Sequence, residues 1–206
     1  MLKKKNIAIV DADFGNIASV INATKYLGYE FALVRNPINL ESYSHLILPG
    51  VGSYNKAAKK LKSLGWYEAI KNFASSKKPI LGICLGMQLM FEEGDEHGTI
   101  EGLKFFKGKC TEFSNNDKFP LPHMGFNFVN YTKSKIWDNI PNPSPFYFVH
   151  SYRVKTIDNT ALVSKTSYGE EFVSFIEKKN VYGAQFHPEK SHKIGLKLLK
   201  NFIEQI

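Results

Sequence analysis

The segment Gly82-Ile83-Cys84-Leu85-Gly86 constrains this chain most, because it follows the apolar run Pro79-Ile80-Leu81 and precedes a helical pattern of Met87, Leu89, Met90 and Phe91. A side chain raised on a tight strand-to-helix turn tolerates only small neighbours two positions to either side. Glycine accepts both the strained backbone and the close approach of strand to helix. Gly82 and Gly86 occupy those positions. The spacing predicts a nucleophile elbow with Cys84 at its apex. A sulfur at a helix N-terminus meets unpaired N–H groups and a dipole that favour thiolate, and the N–H of Leu85 points where an oxyanion would form. A solitary cysteine is more often a small buried hydrophobe. The paired glycines set this one apart.

A nucleophilic thiol needs a base and a group to orient that base. Of the six histidines, His187 stands at the end of the strand-like run Val181-Tyr182-Gly183-Ala184-Gln185-Phe186 and is followed by Pro188, which biases it to an extended conformation. Period-2 geometry predicts that His187 and Glu189 project to the same side, so that Glu189 holds one ring nitrogen while the other faces the sulfur. An isolated His-x-Glu pair is weak evidence; downstream of an elbow cysteine it is specific. His123 and His150 have no adjacent carboxylate in the sequence.

Around these residues the chain alternates short β-branched runs with amphipathic stretches. Ile7 to Val10 is followed by a helix from Asn16 to about Leu27 closed by Gly28; then come strands Phe31 to Val34, His45 to Leu48 and Pro79 to Ile83, with helices Tyr54 to Leu64 and Trp66 to Phe73 between the last two. This rhythm predicts an α/β fold with a mostly parallel central sheet, helices on both faces and a site at the carboxyl ends of the strands. From about residue 103 the chain turns β-rich, with strand-like runs at Phe105-Phe106, Phe126 to Val129, Tyr147 to Val149, Ala161 to Val163 and Phe172 to Ile176. Lys178-Lys179-Asn180 reads as a hairpin connection, Asn139 to Pro145 as a surface loop, and Ser191 as the N-cap of a closing helix striped by Ile194, Leu198, Leu199, Phe202 and Ile206.

With 206 residues, 43% of them hydrophobic, one domain over 1–206 is expected, enough to bury roughly 70% of the unfolded surface. Cys84 and Cys110 form no CxxC pair and no zinc spacing, the start Met1-Leu2-Lys3-Lys4-Lys5 has no signal-peptide core behind it, and no apolar run approaches a membrane span. The expectation is a cytoplasmic enzyme without metal or cofactor. A net charge of +8 raises the question of nucleic acid, yet only Arg35 and Arg153 among the 27 basic residues are arginine. The lysines are scattered in pairs, without the Arg forks or interleaved aromatics that nucleic-acid recognition favours. A solvated lysine surface is expected, with an acidic partner protein as the remaining use for it.

Gly82-Ile83-Cys84-Leu85-Gly86-Met87-Gln88 together with Gln185-Phe186-His187-Pro188-Glu189-Lys190-Ser191 resembles the class I (triad) glutamine amidotransferases. Pro49-Gly50-Val51-Gly52, Pro122-His123-Met124-Gly125-Phe126-Asn127 and Tyr147-Phe148-Val149-His150-Ser151-Tyr152 extend the likeness over nearly the whole chain. Within that family it is similar to the glutaminase subunits that feed ammonia to a (β/α)₈ cyclase in histidine biosynthesis. Two departures stand out: Asp11-Ala12-Asp13-Phe14-Gly15-Asn16 replaces the usual aromatic-Gly-x-Gly-Asn start, and Phe126 stands where Trp is usual.

The resemblance implies a Cys84–His187–Glu189 triad that hydrolyses the glutamine side-chain amide. It implies Gly52 as a second oxyanion donor beside Leu85, although Pro49-Gly50-Val51-Gly52-Ser53 alone is readable as plain turn chemistry. It suggests Gln88, Glu96, Ser151 and Tyr152 as glutamine-binding residues, and His123, Met124, Phe126 and Asn127 as the face toward a (β/α)₈ synthase subunit in a heterodimer. Two other acceptor arrangements stay open: a paralogous synthase pair that aminates a surface sugar, and a stand-alone γ-glutamyl hydrolase.

Overall fold

Runs such as Ile7-Ala8-Ile9-Val10 and Leu46-Ile47-Leu48 are apolar on both faces, and a strand of that kind is stable only when helices cover both sides of its sheet. The computed structural model of the chain describes residues 5–15, 17–114 and 118–206. In its first half, β1 (Ile7–Val10), α1 (Ile17–Tyr26), β2 (Phe31–Val34), β3 (His45–Gly50), α2 (Tyr54–Ser63), α3 (Trp66–Ser75), β4 (Ile80–Cys84) and α4 (Leu85–Gln88) follow one another. The second half runs β5 (Phe91–Gly94), β6 (Ile100–Glu101), β7 (Phe106–Glu112), β8 (His123–Val129), β9 (Ser144–His150), β10 (Tyr152–Thr156), β11 (Leu162–Tyr168), β12 (Glu170–Lys178), β13 (Val181–Ala184) and α5 (His192–Gln205).

The central sheet has seven strands in the order β11-β12-β13-β4-β3-β1-β2. β2, β1, β3, β4 and β13 are mutually parallel, and β12 and β11 add antiparallel at one edge. Successive residues serve opposite cores. Ala8, Val10, Leu46 and Leu48 pack with Ala57, Leu61, Trp66, Ile70 and Phe73 from α2 and α3. Ile7, Ile9, Ile47 and Leu81 pack with Val20 of α1 and with Leu198, Leu199 and Phe202 of α5. The mostly parallel α/β sheet and the β-rich second half are as the sequence pattern implies.

Several local expectations are corrected. The helix beyond Cys84 lasts one turn, and Phe91 begins a strand. The carbonyls of Leu89, Met90 and Phe91 are taken by the N–H groups of Leu103, Phe105 and Lys104, which leaves the helix no ladder to continue. Those side chains read as helical because they are buried all round, a pattern that period counting cannot separate from a buried turn and strand. Ser191 stands before α5 but does not cap it; its hydroxyl donates to the His187 carbonyl at 2.6 Å and accepts from the Tyr147 N–H at 2.9 Å. The predicted loop at Asn139 to Pro145 gives up its end, since Ser144 and Pro145 join β9 and Ile140 is buried. The expected helix start at Asn16, and Met1 to Lys4, lie outside the described residues.

Candidate active site

β3, β4 and β13 are neighbours in the sheet, with Gly50 in register with Cys84 and Ala184 in register with Ile83. Their carboxyl ends therefore deliver Gly50-Val51-Gly52, Cys84 and the His187 segment to one place, as open parallel sheets do. Cys84 has φ +54° and ψ −110°, a conformation that L-residues rarely adopt and that persists where surroundings enforce it. The enforcement is contact on both sides. A Cβ on Gly82 would lie 2.7 Å from the Gly86 carbonyl oxygen, and a Cβ on Gly86 would lie 1.8 Å from that of Leu48. Both glycines are thus required by close approach, which is the elbow anticipated from their spacing.

His187 adopts the extended conformation imposed by Pro188, but Glu189 reaches it by another route than strand alternation. Pro188–Lys190 form a 3₁₀ turn, and through it Glu189 Oε1 meets His187 Nδ1 at 2.7 Å, both side chains almost fully buried. The backbone of His187 is pinned by the Tyr147 carbonyl at 2.8 Å and the Ser191 hydroxyl. A Cβ on Gly195 would lie 1.9 Å from the Pro188 carbonyl oxygen, so α5 presses on this turn. Burial alone would push the imidazole of His187 down. The Cys84 sulfur and then the Glu189 carboxylate more than offset it and raise the group from 6.5 to about 10. His187 Nε2 makes no full hydrogen bond to protein, leaving it available beside the sulfur that stabilises its charge.

A cavity of about 260 Å³ opens over Cys84, lined by Val51, Gly52, Leu85, Gln88, Glu96, Val149, His150, Ser151 and Tyr152. Gly52 has φ +99° and open space where a Cβ would stand, a backbone conformation that glycine adopts without strain. Each residue suggested for oxyanion or glutamine binding thus borders one cavity. Two of them also carry structural bonds. Gln88 donates to the Tyr152 carbonyl and to Gln185 Oε1, both at 3.1 Å, and Glu96 accepts the N–H of Tyr54, capping α2 across the loop.

The suggested partner face divides. Met124 and Phe126 of β8 are exposed and Asn127 is half-buried, but His123 is buried, ring stacked on Tyr168, and is not part of the surface. Strand alternation is the reason: His123 and Asn127 point inward where Met124, Phe126 and Phe128 point out. Two contributors escaped the sequence reading. Gln185, fully buried, donates from Nε2 toward Cys84 Sγ at 3.7 Å, and the thiol reaches the Val149 carbonyl at 3.9 Å. A polar residue in an otherwise apolar strand, two positions before His187, was the available signal for Gln185. Cys110 lies buried in β7, where burial pushes its thiol well up.

A thiol on an enforced elbow beside a buried His–Glu pair, at the carboxyl ends of a mostly parallel sheet, is the arrangement of a nucleophile with a base and a group that orients it. The model of "Glutamine amidotransferase class-I" matches residues 8–206, and the chain belongs to that family. It is 43% identical over 201 residues to imidazole glycerol phosphate synthase subunit HisH 2 of Methanococcus maripaludis, covering 97% of this chain and 99% of the relative. It is 45% identical over 199 residues to subunit HisH 1 of Campylobacter jejuni strain RM1221, covering 96% and 98%. Among solved structures the fold is similar to that of PurLQS from Thermotoga maritima, with a TM-score of 0.76 at 21% identity over 98% of this chain and 99% of that one. The protein is a glutamine amidotransferase. Among the described residues, no helix is long and apolar enough to cross a membrane.

Proposed function

We propose that this chain is the glutaminase subunit of imidazole glycerol phosphate synthase, and that Cys84, His187 and Glu189 are its catalytic triad. The observation that carries the chemistry is the elbow Cys84 beside a buried His187–Glu189 pair joined at 2.7 Å. Full-length likeness to synthase subunits supports the pathway.

The Cys84 thiolate adds to the side-chain amide carbon of glutamine, and the N–H groups of Leu85 and Gly52 receive the oxyanion. His187 gives its proton to the departing ammonia as the tetrahedral adduct collapses to a thioester. The neutral imidazole then takes a proton from water attacking the thioester, and glutamate leaves with the thiolate restored. Glu189 orients the ring and stabilises its charge. Ser151, Tyr152, Gln88 and Glu96 border the space for the amino-acid end of the substrate.

Ammonia passes to a (β/α)₈ cyclase subunit in a heterodimer, docked on the exposed Met124 and Phe126 of β8. Two free cysteines suit the reducing cytoplasm. The test separates supply from synthesis. In the assembled complex, Cys84→Ala should abolish synthesis from glutamine and leave synthesis from added ammonium salt nearly intact. Loss of both activities refutes a purely ammonia-supplying role, and retained glutaminase activity refutes the nucleophile.

A further inference from the structure

His123 and His150 have no part in the steps above, yet they are buried side by side in the paired strands β8 and β9, and His150 borders the Cys84 cavity. His123 Nδ1 meets His150 Nε2 at 3.0 Å, His123 Nε2 meets Asn127 Nδ2 at 3.2 Å, and His150 Nδ1 meets the Tyr152 carbonyl at 2.8 Å.

Both ends of this row fix the protons. A carbonyl oxygen only accepts, so His150 must carry its proton on Nδ1, which leaves its Nε2 as an acceptor and makes His123 Nδ1 the donor. From the other end, Asn127 accepts the Phe128 N–H at its Oδ1 and donates from Nδ2 to the Ser167 carbonyl at 2.9 Å. That nitrogen is a donor, so His123 Nε2 must accept, and its proton again falls on Nδ1. The two derivations agree.

We propose that His123 and His150 are positioning residues for glutamine, forming a one-way relay of two neutral Nδ1–H imidazoles that runs from Asn127 on β8 to the Tyr152 carbonyl and holds the Ser151-Tyr152 wall of the cavity. The proposal rests on the glutaminase reading of that cavity. The Tyr152 carbonyl also accepts from Gln88, which bonds Gln185, which in turn reaches the Cys84 sulfur, so one network fixes both the wall and the nucleophile. A proton added to either ring would set two N–H groups against each other. Burial keeps both rings neutral, His123 being lowered to about 4 and His150 to about 3; for His150 the bond to Tyr152 opposes this while the neighbouring His123 and His187 reinforce it. The other faces of the pair are aromatic, Tyr168 and Phe148 on His123, Phe113 and Phe172 about His150.

Long-range ¹H–¹⁵N correlation on the ¹⁵N-labelled full chain at neutral pH reads the tautomers directly. Both rings are expected to carry the proton on Nδ1 and none on Nε2. In steady-state glutaminase assays of the full chain assembled with its synthase partner and acceptor nucleotide, His123→Phe keeps the ring stacking and removes both nitrogens. It is expected to raise KM for glutamine about tenfold, the worth of one buried hydrogen bond, with kcat little changed. His123→Asn, whose amide nitrogen stands near the Nδ1 position, should recover part of that loss, which a merely structural role would not predict. An Nε2–H or doubly protonated ring at either position overturns the proposal, as does an unchanged KM in His123→Phe. Because the tautomers are read in the unaltered chain, a variant that fails to fold does not shelter the idea. Cys84-dependent hydrolysis indifferent to His123 sinks the relay alone; absence of Cys84-dependent hydrolysis sinks the functional reading beneath it.

Discussion

Replacing Glu189 by glutamine keeps the shape of the side chain and an acceptor for His187 Nδ1, and removes only the charge. The bond is 2.7 Å long between two side chains that are 3% and 2% exposed, so solvent screens it little. A hydrogen bond to a charged group is worth about 1.5–3 kcal/mol against about 0.5–1.5 for a neutral one, so the change costs the imidazolium roughly 1–1.5 kcal/mol. Among the influences that raise His187, the Cys84 sulfur outranks the carboxylate, so His187 stays protonated near neutrality without it. The expected loss in kcat/KM is about tenfold. In a serine triad the comparable amide substitution costs about 10⁴-fold because a neutral imidazole takes the wrong tautomer. In the acylation half-reaction, which kcat/KM reports, the ring acts as an imidazolium with protons on both nitrogens, and no tautomer is at stake. His187→Ala, which removes the proton carrier itself, should lose at least about 10²–10⁴-fold. Ammonia release by the full chain with its partner, coupled to NADH oxidation through glutamate dehydrogenase, measures all three proteins. A Glu189→Gln variant as inactive as His187→Ala would refute the ion-pair account. His187 is raised from 6.5 to about 10, so its contribution to stability is fully present below about pH 6.5 and is lost as pH rises toward 10. In Glu189→Gln the alkaline fall in activity should begin at lower pH; an unmoved limb would count against the same account.

Gly86→Ala should destabilise the fold by about 3 kcal/mol or more, the upper end of overpacking, because its Cβ would sit 1.8 Å from the backbone oxygen of Leu48. Thermal unfolding should drop by about 6–12 °C, and a variant as stable as the parent would refute the close-approach reading. The isolated chain should be a poor glutaminase that a cyclase partner with bound acceptor nucleotide stimulates, because Gly52, at φ +99° with open space where a Cβ would stand, lets the loop after β3 take more than one backbone position. Withholding one oxyanion donor suppresses turnover by about 10²–10³-fold, and full activity of the lone chain in the same coupled assay would favour a stand-alone hydrolase instead.

The sequence by itself determined what local chemistry and repetition can encode. Gly82 and Gly86 around Cys84 specify an elbow because their contacts, with each other's backbone and with Leu48, come from immediately neighbouring elements. Pro188 specifies an extended His187, and the alternation of apolar strands and amphipathic helices specifies a two-faced parallel sheet. What only the tertiary structure decided depends on partners far along the chain. The chain leaves the helix after Gln88 where residues 103–105 bond the carbonyls of Leu89, Met90 and Phe91 and hold that stretch beside them. Glu189 reaches His187 through a 3₁₀ turn pressed by α5, where strand alternation had suggested the same pairing for a different reason. His123 lies in a segment whose composition suits an interface, yet its place in the pleat turns it inward against Tyr168 and His150 while Met124 and Phe126 turn out. Gln185 and the Tyr152 carbonyl join the site only because β13 lies beside β4 and β10 follows β9 over the cavity. Side-chain direction and backbone capture are set by register and neighbour order, which no window of sequence contains.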